Sequence, residues 1–577
     1  MKQCTQSGWT MAVLLALSAA CAAGDGARGA LGFEMLMHGA DPGQPVDFAY
    51  YAPQPDSSTT LPRNRFEGRL RLSGAAERGG FLAHVDRYRA AGDSPRRHLP
   101  DFDFELVQAG SHLIPVRRDS VANAHPDWEF VLSPGRVWDE PGDAGYSRAA
   151  LPFALQQKNA NCIHNGVLTF LFKDDGSVSQ ASYQIASETC AYFKADFWGL
   201  LPARYTPQAV SGADKLIADY RAEIVGRLPV KPLAALAKDY PGIDPLKFAA
   251  PNGKDPREMS LVGFVIDGIH YTGGCATRYG AYPYCESLVV PSYSLAKSVF
   301  AGLGMMRLEK LYPGAFDARI EDYVPACANG WDGVRFGNAL DMVTGHYASA
   351  AYMRDEDADT GSATGLFQSE RHADKIAYAC THYPRKAAPG ARWVYHTSDT
   401  YLLGTAMSAL LKQKRGAEAD LFDDLVYADV LRPLHVGSTT AYTRRSYDDV
   451  RQPFAGWGLM WLRDDVAKIA QFLAAGSRTQ TVLDQAQLDA ALQRDPNDRG
   501  LVALPGFRYN NGFWAHDIGA RLPGCKGDVW VPFLSGFGGI TLLVLPNGGA
   551  YYYFSDDESP LWMDAALEAH RIRSLCQ

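Results

Sequence analysis

Residues 293–325 read YSLAKSVFAGLGMMRLEKLYPGAFDARIEDYVP, and the reading of the second half of the chain turns on them. Ser294 and Lys297 stand three residues apart, a spacing that a helix places on one face. The helix they open is expected to run from Leu295 to Leu311 and to stop at Tyr312-Pro313-Gly314. Val299, Phe300, Leu303, Met306 and Leu311 make it largely apolar, so it should be buried. A serine at such an N-terminus lies beside free backbone N–H groups and the positive end of the helix dipole, which together can stabilise an oxyanion. A lysine one turn on, in apolar surroundings, loses the hydration of its charged form. Its pKa falls, and it can take the serine proton. Alone, Ser-x-x-Lys is a weak signal, because a capping serine followed by a lysine that reaches for solvent has the same spacing.

Moving outward, Leu261–Ile266 (LVGFVI) reads as an apolar strand, Asp267-Gly268 turns the chain, and Ile269 starts back. Ile540–Leu545, the turn Pro546-Asn547-Gly548 and Ala550–Ser555 form a second hairpin, followed by a terminal helix over Ala565–Leu575. Helical segments lie between, at Tyr401–Leu411 and Val466–Ala475. Strands at both ends with helices between them predict an α+β domain whose terminal strands share one sheet. Four further segments stand in order: PGARWVYHTSDTYLLG at 389–404, LRPLHVGSTT at 431–440, GWGLMWLRDDVAKIAQFLAAG at 456–476, and Ser535-Gly536-Phe537-Gly538-Gly539 just before the strand at Ile540.

With the stretch at 293–325, this series resembles the serine β-lactamase and penicillin-binding-protein superfamily. Within it, the series is most similar to the class C β-lactamase-like hydrolases, which include esterases and 6-aminohexanoate-dimer hydrolases. The resemblance covers nearly all of 257–577. It implies an antiparallel sheet flanked by helices, with a helical subdomain. It also implies that Ser294 is the acylated nucleophile, Lys297 its activating partner, and Tyr395 a second proton-transfer group with a phenol acidified by nearby cations. Ser535 and Gly536 fall on the family's Lys/His-Thr/Ser-Gly strand motif, and the N–H groups of Ser294 and Phe537 would form the oxyanion hole. Thr397 stands where the family's Tyr-x-Asn motif has asparagine. Leu534 stands at the family's cationic position, where the charge helps to bind a substrate carboxylate. Leucine supplies no charge, so an ester or amide substrate with less negative charge is expected. A β-lactamase or DD-peptidase is one alternative. A non-catalytic envelope protein that binds peptide or cell-wall ligands is another. His346 and His396 read as structural histidines, and Asp399 as the cap of a helix beginning at Thr400. The mechanism needs no metal or cofactor.

The chain has 577 residues, 47% of them hydrophobic and 21% charged, with a formal net charge of −8, which is an ordinary globular composition. No basic block points to nucleic acid, and there is no Gly-x-Ser-x-Gly elbow, His-Glu-x-x-His helix or phosphate-binding loop. The length calls for two domains, or one with a large appendage. Residues 1–22 read as an export signal, with Lys2, an apolar stretch from Met11 to Ala20, and cleavage after Ala22 or Ala23. A lipid anchor at Cys21 is the alternative, and no segment has transmembrane length. The protein is thus expected in the periplasm or outside the cell, acting on a small-molecule or peptide-like substrate.

Residues 30–228 are rich in short strand-like runs, among them Phe66–Leu72 and Trp128–Leu132, and read as a mainly β accessory domain. Exposed aromatics such as Trp128, Trp138 and Trp198 could bind carbohydrate there, although core packing is the ordinary role of such residues. A helix over Ala213–Leu228 ends this part, and the Pro- and Gly-punctuated stretch 229–256 reads as a linker. Of the 10 cysteines, Cys4 and Cys21 fall in the signal, and the remaining eight fit disulfides in an oxidising compartment. Cys162 and Cys190 lie equally far from Gly176, and Cys275 and Cys285 from Gly280, so each pair should meet across a hairpin. Cys327, Cys380, Cys525 and Cys576 are left to pair among themselves.

Overall fold

Successive side chains of a strand point to opposite faces. The strand Ile163–Phe172 is buried at all of its positions. Leu168, Phe170 and Phe172 enter one hydrophobic cluster, built from the N-terminal half alone. Val167, next to Leu168 and on the opposite face, joins a different cluster with Leu288, Val290, Leu295 and Val299 of the second half. Neighbouring strands repeat the division, with Ala150 and Ala186 beside Val167 while Leu151 and Ile185 face the first cluster. A sheet covered on both faces needs apolar residues at every position, which is why GVLTFLF does not alternate.

In this computed structural model the described residues are 30–576, apart from 41, 55–60, 90, 93–94, 476–481 and 560. The expected export signal and the candidate anchor Cys21 lie outside them. The N-terminal half carries an eleven-stranded sheet, all of whose pairings are antiparallel. Its long central members are Ser147–Gln157, Ile163–Phe172, Ala181–Thr189 and Phe193–Leu201. Trp128 and Trp138 are fully buried, which takes them out of any carbohydrate-binding surface.

The second sheet has nine strands. Its order runs Val230–Pro232, Ile269–Gly274, Met259–Ile266, Ala550–Ser555, Ile540–Val544, Trp530–Gly536, Phe513–Asp517, Phe507–Asn510 and Leu501–Leu504. Phe264 pairs with Tyr551, so the first and last strands of this half lie side by side. All pairs are antiparallel except Val230–Pro232, which runs parallel to Ile269–Gly274. That short strand lies in 229–256, and the same stretch adds short helices at Leu236–Asp239 and Leu246–Ala249. Three consecutive tyrosines show how the sheet separates its two faces. Tyr552 packs into the cluster shared with the first sheet, while Tyr551 and Tyr553 join the terminal helix Met563–Ile572 on the other side. The helical part is built from Leu303–Leu311, His372–Thr381, Thr397–Arg415 and Arg463–Ala474. The architecture is α+β, with a β-rich N-terminal region.

Among the described residues, four disulfides close the chain: Cys162–Cys190, Cys275–Cys285, Cys327–Cys380 and Cys525–Cys576. The first two are the hairpin pairs, and Ile163 stands opposite Thr189 in the ladder, which brings the flanking cysteines together. Four such links fit an oxidising compartment. No helix among the described residues is long and apolar enough to cross a membrane.

Candidate active site

Ser294 sits in the turn before a helix that opens at Leu295 and Ala296, passes through a π-helical stretch, Lys297–Gly302, and continues as α-helix at Leu303–Leu311. The expected helix is therefore present, but after a tight first turn, with Lys297 N–H bonded to Ser294 O at 2.9 Å, it widens into a π-helical stretch. Such wide turns recur at functional sites. Tyr293, immediately before the serine, has φ = 40°, in the left-handed region that bulky residues rarely adopt. The turn presents Ser294 Oγ to two partners. Tyr395 donates its phenolic O–H at 2.7 Å. Lys297 Nζ lies at 3.1 Å.

Lys297 is 2% exposed and has three acceptors: Ser294 Oγ, Thr397 Oγ1 at 2.9 Å and the Gly456 carbonyl at 3.4 Å. Burial pulls its ammonium down to about 8, while the charges of Glu356 and Asp399 resist. Tyr395 differs from expectation. Burial, helped by the Glu356 charge, pushes its phenol far above the ordinary value, and only the bond to Ser294 acts the other way. Lys297 Nζ lies 4.9 Å from the ring centre. Tyr395 is thus a neutral O–H donor at rest.

Thr397 opens the helix Thr397–Arg415. Its N–H donates to Glu356 Oε1 at 2.7 Å and its hydroxyl to Glu356 Oε2 at 2.7 Å. With the hydroxyl hydrogen committed to Glu356, a lone pair remains for Lys297. Glu356 was invisible in the sequence: it lies in a short turn, Arg354–Glu356, with no motif around it. The preceding residue, Asp355, bonds His396 Nε2 at 2.9 Å and also accepts the N–H groups of Ala348 and Ser349, each at 2.8 Å. Burial opposes a charge on His396, but the bond to Asp355 and the nearby Asp399 and Glu356 outweigh it and raise His396 to about 9. His396 is stacked on Tyr383, and His346 on Trp331. Both are structural groups behind the site. Asp399 does not cap the helix. The helix begins two residues before it with His396 at the cap position, and Asp399 instead accepts the Thr344 hydroxyl from the first turn.

Ser535 and Gly536 end the strand Trp530–Gly536. A Cβ on Gly536 would stand 3.0 Å from Leu295 Cδ1 and 2.7 Å from Ile540 side-chain atoms, so glycine lets this strand end lie against the helix that follows Ser294. Phe537 follows it, 40% exposed, with its ring centre 5.8 Å from that of Tyr293. Leu534 is fully buried in the shared core. Among the described residues, the one cluster with metal-ligand spacing is Cys525, His570 and Cys576, and its two sulfurs are joined in a disulfide.

A family model described as Beta-lactamase matches residues 267–556, which hold every group placed around Ser294 above. The chain belongs to the β-lactamase family. Similar solved structures include EstCE1, a hydrolase with promiscuous acyltransferase activity (16% identity, TM-score 0.41, covering 62% of this chain and 99% of that one). They also include a penicillin-binding protein from Bacillus halodurans (15% identity, TM-score 0.41, 58% and 99%). A third is a D-stereospecific amidohydrolase from Streptomyces sp. (15% identity, TM-score 0.37, 52% and 89%). No curated protein matches the chain. The β-lactamase family model leaves residues 1–266 unmatched, including the whole of the eleven-stranded sheet.

Proposed function

We propose that this β-lactamase family member is an exported serine hydrolase that cleaves an ester or amide through an acyl-enzyme on Ser294. The observation that carries the reading is the convergence of Tyr395 O–H and Lys297 Nζ on Ser294 Oγ. A protein that only binds a ligand has no use for a serine held between two proton-transfer groups. Neutral Lys297 takes the Ser294 proton as Oγ attacks the carbonyl carbon. The carbonyl π-electrons move to oxygen, where the N–H groups of Ser294 and Phe537 receive the charge. When the tetrahedral intermediate collapses, the leaving oxygen or nitrogen takes a proton from Tyr395, which Lys297 restores. Water then attacks the acyl-enzyme along the reverse proton path and frees the acid. A fluorophosphonate probe should label Ser294 in the native protein and fail to label Ser294→Ala. Undiminished labelling of the variant would end the proposal.

The substrate is an ester or amide without a carboxylate beside the scissile bond. Leu534, buried where relatives are expected to carry a cation, supports this choice. Short-chain nitrophenyl esters should be turned over faster than nitrocefin, and a comparable nitrocefin rate would contradict the assignment. The signal at 1–22 and the four disulfides support export to the periplasm or beyond, with Cys21 as the alternative point of lipid attachment.

A further inference from the structure

The turn that presents Ser294 is held from outside the matched family region. Asn161 belongs to the N-terminal half, in the loop between the strands Ser147–Gln157 and Ile163–Phe172, next to the disulfide at Cys162. It is 1% exposed. Its Oδ1 accepts the Tyr293 N–H at 2.8 Å, the Gly458 N–H at 3.1 Å and the Ser292 hydroxyl at 3.3 Å. Two of these donors are fixed backbone N–H groups, so the oxygen, not the amide nitrogen, must face them. Both segments it grips carry parts of the site. Tyr293 is the residue in left-handed backbone before the nucleophile. Gly458 lies two residues beyond Gly456, whose carbonyl accepts from Lys297. Ser292 and Leu459 are themselves cross-linked, Ser292 N–H to Leu459 O at 2.9 Å and Leu459 N–H to Ser292 Oγ at 3.1 Å. One carboxamide oxygen therefore locks the segment that delivers Ser294 to the segment that delivers an acceptor for Lys297.

We propose that Asn161 is a positioning residue for the nucleophile, and that the eleven-stranded sheet is through it a working part of the active site. The inference rests on Ser294 being the nucleophile. Without the Asn161 oxygen, two buried N–H groups lose their partner, the left-handed turn at Tyr293 loses its brace, and Ser294 Oγ moves relative to Lys297 and Tyr395. A displacement of the order of 1 Å at a reacting atom costs about 10²-fold in rate.

The test uses the full chain and two readouts. In Asn161→Ala, the second-order rate of fluorophosphonate labelling should fall by about 10²-fold, at a temperature where circular dichroism shows the variant folded. Asn161→Asp keeps an acceptor oxygen at the same atom and should restore most of the rate, which a merely structural role would not produce. Hydrogen exchange, followed in peptides spanning 290–297 and 456–462, should show the amides of Tyr293 and Gly458 losing protection in Asn161→Ala and keeping it in Asn161→Asp. This second readout needs no catalysis, so it decides the positioning even if the native protein proves unlabelled and the hydrolase reading falls. Parental labelling and parental protection in folded Asn161→Ala would overturn the inference. Should that variant fail to fold, Ser292→Ala removes one of the three ties and takes its place. Slower labelling with faster exchange over 290–297 supports the inference, and parental values of both overturn it.

Discussion

Lys297→Met is expected to slow acylation of Ser294 by about 10²- to 10⁴-fold, the range a positioned general base supplies. Methionine fills the same buried space, so the loss reports chemistry and not a cavity. The native enzyme should show why through its pH profile. Lys297 accepts a proton only when neutral, and burial brings its ammonium down to about 8. The rate kcat/KM should therefore rise tenfold per pH unit below that value and level off above it, since kcat/KM reports the free enzyme. In Lys297→Met that inflection should vanish along with the rate. A variant that keeps the inflection would assign it to another group and remove Lys297 from the mechanism.

Asp355→Ala is expected to cost about 3–5 kcal/mol of folding stability, as does breaking one side of a buried ion pair. The carboxylate and the His396 ring are both shielded from solvent, and the N–H groups of Ala348 and Ser349 lose their acceptor as well. Chemical denaturation would show the loss as a lower midpoint at unchanged slope. The pair also carries a pH signature. His396 is raised from 6.5 to about 9 in the folded state, so its contribution is complete below pH 6.5 and is lost as pH climbs through about 9. Asp355 is lowered from 3.8, so its contribution is present above that value and is lost as pH falls below it. The alkaline decline in stability should be shallower in Asp355→Ala than in the parent. Equal declines would mean that His396 is not the group responsible.

The candidate site is legible in the sequence where it is local in the chain. Ser294 and Lys297 announce themselves by spacing on one helix, and Tyr395 and Thr397 stand in one segment with a recognisable order. Glu356, Asp355 and Asn161 carried no such signal, because they reach the site only through the packing of distant loops. The commitment of Thr397 is hidden for the same reason: its hydroxyl is bound by a glutamate 41 residues earlier in the chain. The balance between burial and charge at the Tyr395 phenol is set by neighbours that spacing does not reveal. Asp before a helical run suits a cap at Asp399, but the helix starts earlier, at Thr397. In the N-terminal half the strands were legible and their partner was not. The unalternating run at Gly166–Phe172 was the sign that something covers both faces of that sheet.

That double covering has a consequence for how the molecule comes apart. Val167, Ala150 and Ala186 share one cluster with Leu288, Val290 and Leu295, so neither half can open without uncovering apolar surface of the other. Two sheets joined in this way melt as a single cooperative transition, and a calorimetric scan of the intact chain would record one peak where two separable modules would give two. Chain cleaved between the halves would leave each with a sticky face in place of a solvated one, so covalent continuity and solubility are bound together in this protein.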